Sequence, residues 1–153
     1  MKCPPTFIKS VFGFTLYLLC LSQLSVSAAP NPDGVNALWV AESSGVLKAA
    51  TADGSVLFEI TSVGDTNAIA VDQQRGRVWA HSGGTLRQFD FSGQELITID
   101  VALASGDSSF GPSQVVDVTV DLSNGNVWLA ASDSVYRFDV VGGFLSQITC
   151  HTV

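Results

Sequence analysis

Short apolar runs alternate with turn residues along most of this chain. Val116-Asp117-Val118-Thr119-Val120 alternates apolar and polar strictly, and Ala68-Ile69-Ala70-Val71 is apolar throughout. Successive side chains of a strand point to opposite faces, so a period of two, bounded by Gly and Asn, predicts strands. After residue 28 no stretch sustains the 3.6-residue apolar period of a helix. Strands are predicted near 37–42, 46–51 and 56–61, then 68–71, 78–80, 86–91 and 96–99, then 116–120, 127–129, 135–140 and 144–148. Gln74-Arg75-Gly76, Ser92-Gly93, Asn124-Gly125-Asn126 and Gly142-Gly143 separate them. Asn and Gly suit such turns because they tolerate positive φ.

These runs repeat. "AVDQQRGRVW" at 70–79 returns as "TVDLSNGNVW" at 119–128, and Trp39, Trp79 and Trp128 align three copies at spacings of 40 and 49 residues. From Asp72 to Trp79 and from Asp121 to Trp128 the offset is the same seven residues, and Phe89-Asp90 and Gly93 match Phe138-Asp139 and Gly142 without a gap. Four antiparallel strands per copy at this period describe a propeller blade.

The pattern of small-apolar-Asp, Gly-x-Val-Trp, Phe-Asp and a turn Gly resembles NHL-repeat and SMP-30-like six-bladed β-propellers over residues 37–149. The Trp-Asp and Gly-His pairs of WD40 blades are absent from the sequence, as are the double-glycine strands of kelch repeats in register. The expected fold is all-β, a partial β-propeller of about three four-stranded antiparallel blades, preceded by a signal-peptide helix. The blades are expected at 37–61, 67–101 and 115–149, within a unit spanning 37–153. The first is incomplete. Its innermost strand would fall in "APNPDGV" at 29–35, where two prolines make a poor strand, so 29–36 reads as a linker. A closed ring takes about four to eight blades. Two expectations follow: the arc closes by self-association, or the chain is an inactive fragment of a larger propeller protein.

Residues 1–28 change the picture of where it works. Lys2 and Lys9 precede an apolar run at 11–21, and Val26-Ser27-Ala28 fits a signal cleavage site. Eleven apolar residues are too few to span a bilayer as a helix of about 20 residues. The expectation is an exported protein, periplasmic or extracellular. Past residue 28 lie all 14 acidic residues but not Lys2 and Lys9, so the net charge falls from −7 to −9. Such acidity disfavours nucleic acid and anionic membranes and favours cationic ligands or metals. Cys150 alone remains there, which excludes a disulfide within that part of the chain.

Candidate chemistry sits in the loops. In a propeller, the turns between strands two and three share a face with the connections into each next blade. On that face the residues expected to bind a ligand are Asp65, Asn67, His81, Asp133, and Asp107, Ser108 and Ser109 of the 102–114 insertion (ALASGDSSFGPSQ). Long polar loops on rigid scaffolds often carry function, and surface insertions are also cheap to tolerate. His81 reads as a lone exposed histidine, and His151 lies at the tail. Asp72 and Asp121 could bind Ca²⁺, but their recurrence favours turn capping. Trp79 and Trp128 read as packing between sheets rather than a stacking platform. Arg75 and Arg77 read as two solvated charges in a turn. No catalytic motif appears. The reading that follows is a protein- or small-ligand-binding module. The resemblance implies an alternative, a metal-dependent lactonase or esterase whose divalent ion would be held by Glu42, Asn67 and Asp117.

Overall fold

The structure is a computed structural model, and it describes residues 37–42, 44–61 and 63–149. The signal segment at 1–28, the linker at 29–36, Cys150 and His151 lie outside the described residues.

Three antiparallel sheets follow one another along the chain. The first holds β1 (Leu38–Glu42), β2 (Val46–Ala50) and β3 (Val56–Ile60). The second holds β4 (Thr66–Asp72), β5 (Arg77–Ser82), β6 (Thr85–Asp90) and β7 (Glu95–Asp100). The third holds β8 (Val115–Val120), β9 (Val127–Ala131), β10 (Ser134–Phe138) and β11 (Phe144–Thr149). Each sheet is a meander, with sequential strands as neighbours. This is the expected partial propeller, its first blade three-stranded among the described residues.

Aspartates make the turns. Asp72 Oδ1 accepts from the backbone N–H of Gln74 (3.1 Å) and Arg75 (3.2 Å), and Asp121 Oδ1 accepts from Ser123 N (2.9 Å). Asp90 accepts from Ser92 N and Gln94 N, and Asp139 from Val141 N and Gly143 N. A carboxylate two to four residues before an exposed N–H satisfies a donor the ladder leaves open, so the recurrent Asp is explained by the turn. Arg75 departs from expectation. It is half-buried, pairs with Asp72 at 3.1 Å and donates to Leu122 O at 3.0 Å, tying the second sheet to a turn of the third.

Register sets which side chains meet. Trp39 stands beside Ala49 and Phe58, Trp79 beside Gln88 and Ile97, and Trp128 beside Arg137, which pairs with Ser146. Each row lies on its sheet's C-side face, the face turned toward the next copy. Trp39, Leu47 and Ala49 form one core with Val78, Ala80, Phe89 and Phe91 of the second sheet. Trp79, Leu86 and Ile99 form another with Val118, Leu129, Tyr136 and Phe138 of the third. Trp79 is 0 % exposed. Trp128 is only half-buried, with the Arg137 guanidinium 5.0 Å from its ring centre, because no described sheet follows it.

The insertion differs from a plain loop. Val101–Ser105 forms a short helix, α1, capped by Asp100, whose side chain accepts from Leu103 N at 3.0 Å. Pro112–Gln114 forms a 3-10 turn. A single helical turn is too short to show a period, which is why the pattern does not predict it.

Candidate functional site

The connection from β7 to β8 is held at two points. Phe110 is buried, edge-on to Tyr136 (ring centres 5.3 Å apart) and to His81 (6.2 Å). Asp107 is the polar anchor. Its Oδ2 accepts from Tyr136 Oη and Gln147 Nε2, both at 2.8 Å, and its Oδ1 accepts from Ser109 N (2.9 Å) and Ser109 Oγ (2.6 Å). The Ser109 hydroxyl, then Tyr136 and the Ser109 N–H, hold the carboxyl down at about 2. Burial, then Asp107 itself, pushes the Tyr136 phenol up to about 12. Asp107 is therefore an anion across the physiological range.

Around this anchor lies an open polar recess of about 360 Å³. Ser105 and Ser109 line it from the insertion, Asp133 from the β9–β10 turn, Ser134 from the start of β10, and Gln147 from β11. Asp133 is exposed and makes no hydrogen bond or ion pair with any described residue. A second recess of about 250 Å³ is lined by Asp65, Asn67, Gly83 of the β5–β6 turn and Ser113 of the insertion. Each recess thus combines a second-to-third-strand turn with a connection into a first strand. The insertion contributes to both.

The candidate residues accordingly divide. Asp107, Ser109 and Asp133 line one recess, and Asp65 and Asn67 the other. Ser108 is exposed and lines neither. His81 corrects the expectation of an exposed side chain, because it is 0 % exposed. It belongs to β5, where register beside Leu86 directs it into the contact with the third sheet. Its Nδ1 lies 2.7 Å from Asn67 Oδ1, while Asn67 Nδ2 donates to Val115 O of β8 at 3.2 Å. Burial lowers its pKa to about 4, so the ring is neutral at pH 7.

Tyr136, Ser134 and Gln147 escaped sequence reasoning because they look like ordinary strand residues. Phe110, the one aromatic residue in ALASGDSSFGPSQ, was the available sign that the insertion docks.

The set implied for a metal does not assemble. Glu42 pairs with Lys48 at 2.7 Å on the first sheet, Asn67 is engaged at both ends of its amide, and Asp117 lies on the C-side face of the third sheet. Among the described residues no three His, Cys, Asp or Glu side chains gather around one point.

No family profile matches the chain, and no curated protein matches it in sequence. Solved structures do match in fold. Hydrazine synthase of Kuenenia stuttgartiensis aligns with a TM-score of 0.62 at 16% identity, over 77% of this chain and 33% of that one. BamB from Moraxella catarrhalis aligns at 0.58 and 14% identity, over 76% and 33%. The WD40 repeats of RRP9 align at 0.63 and 11% identity, over 78% and 37%. The likeness shows the fold, a β-propeller, and the chain spans about a third of the length of these structures.

Proposed function

We propose that this chain is an exported binding module that takes a protein or small-molecule ligand on its loop face, at the recess around Asp107 and Asp133. The observation that carries this reading is the pinned insertion. Four hydrogen bonds to Asp107 and the buried Phe110 hold Ser105 and Ser109 of the insertion on the same concave polar surface as Asp133. Preorganised polar groups in a recess bind with little ordering cost.

The lining selects the ligand. Two carboxylates, hydroxyls and an amide without any cationic side chain favour an ammonium or guanidinium group, carried by a small molecule or by a basic side chain of a protein partner. Export rests on the basic, apolar and small-residue segments of 1–28. Kinship with NHL-repeat and SMP-30-like propellers belongs to the same proposal, as does self-association through the outer faces of the first and third sheets.

An NMR titration of the full chain with arginine amide, and separately with Ca²⁺, tests it. Arginine amide should shift residues 105–109 and 133–134, and Asp133→Ala should abolish those shifts. Shifts with Ca²⁺ alone would move the site to a divalent cation. No response to either probe would sink the recess as a cation site and favour an inactive fragment of a larger propeller.

A further inference from the structure

We infer that a second copy of this chain docks with its β2–β3 turn against β11 of the first, in the register that both internal sheet contacts share. The inference rests on the self-association proposed above and names its surfaces.

The two internal contacts have one design. In each, the glycine of the third-to-fourth-strand turn lies against the fourth strand of the preceding sheet. A Cβ on Gly93 would sit 2.9 Å from Phe58 and 3.3 Å from Ile60, both in β3. A Cβ on Gly142 would sit 3.0 Å from Ile97 and 3.1 Å from Ile99, both in β7. Only glycine permits that approach, at φ of 87° and 88°. Gly54 is the counterpart in the first sheet. It has the same φ of 87°, and nothing lies within 4 Å of the Cβ position. The counterparts of Phe58/Ile60 and Ile97/Ile99 in the third sheet are Ser146 and Ile148, by their pairing with Arg137 and Val135. Ile148 is 55 % exposed. Both halves of the repeated contact therefore stand uncovered, one at each end of the described stack.

The surroundings match. The N-side face of the first sheet exposes Leu38, Val40 and Val56. The C-side face of the third offers Trp128, Ala130 and Val135 around a largely apolar cavity of about 380 Å³. Charge matches too. Gln88 reaches across its contact to donate to Val140 O, in the turn of the next sheet, at 3.2 Å. Arg137 holds the register position of Gln88, beside the tryptophan. In a second copy the corresponding turn carries Asp53, and on that sheet's N-side face Glu42 and Glu59 share Lys48 as their ion-pair partner among the described residues. A cation thus meets an acidic surface. Two copies would supply six sheets, within the roughly four to eight of a closed propeller.

The contact joins two different faces, which makes the test specific. Light scattering on a sizing column should give the full chain the mass of two 16.1 kDa chains. Ile148→Arg blocks one face and Leu38→Arg the other, so each variant alone should run as one chain. Both side chains are more than half exposed, at 55 % and 60 %, so each variant should keep the single-chain circular dichroism spectrum. An equimolar mixture of the two should pair again, because each contributes the face the other has lost. Arg137→Glu, an independent variant, should weaken pairing by about tenfold or more. A wild-type chain that runs as one chain overturns both the inference and self-association. A wild-type pair that either Arg variant leaves intact, or a mixture that stays apart, overturns the inference alone and places self-association on another surface.

Discussion

At the scale of single residues, burial sets the chemistry of His81 and hydrogen bonding sets that of Asp107. With its folded pKa near 4 against an ordinary 6.5, His81 stays neutral in the fold while the unfolded chain takes up a proton. Its contribution is complete above pH 6.5 and is lost as pH falls from 6.5 toward 4, a loss on the order of 3 kcal/mol. Urea unfolding across that window should show the loss in the wild type and a flatter profile in His81→Leu. Equal slopes would mean that His81 is not the group responsible. Tyr136→Phe removes a donor to an ionised carboxylate and should cost roughly 1–3 kcal/mol. It should also raise the Asp107 carboxyl above about 2. A carboxyl NMR titration reads this directly, and an unmoved Asp107 would dismiss Tyr136 as a cause.

Among the elements, one repeated position has different weight in different sheets. Trp79 is enclosed between the second and third sheets, and Trp79→Ala should cost about 3–5 kcal/mol. Trp128, half-buried beside Arg137, should cost well under half of that on dilution to single chains. In single chains Gly142→Ala should destabilise more than Gly54→Ala, because both pay for positive φ but only Gly142 meets packed side chains there. Thermal melts of the four variants check both comparisons, and equal costs within either pair would contradict the stacking order. Strand positions were legible because a half-buried strand must alternate and its turns need Asp, Asn and Gly. The helix α1 was not legible, since Asp100 caps a turn of five residues and the docked Phe110 beyond it holds the connection.

In the molecule as a whole, stability is shared between neighbours. Each sheet buries its faces only against adjacent sheets, as in other repeat architectures. The second sheet has a neighbour on both faces, and the first and third have one each among the described residues. Native-state hydrogen exchange on single chains should find the slowest amides in β5 and β6 and faster exchange in β1–β3. Uniform protection across the three sheets would contradict that picture.

The sequence by itself determined the strands, their repeat and the aspartate turns, because these depend on local periodicity and on carboxylates reaching N–H groups a few residues away. It also marked the 102–114 insertion, as extra length between two copies. Tertiary structure decided what no local pattern encodes. Residues 29 positions apart, Asp107 and Tyr136, meet across a sheet contact. His81 is buried because strand register turns it toward the third sheet. Gly54 and Ile148 stand open because, among the described residues, no sheet precedes the first and none follows the third, whereas Gly93 and Ile99 are covered by the neighbouring sheet. Those outcomes depend on which faces meet, and only the assembled sheets bring the faces together.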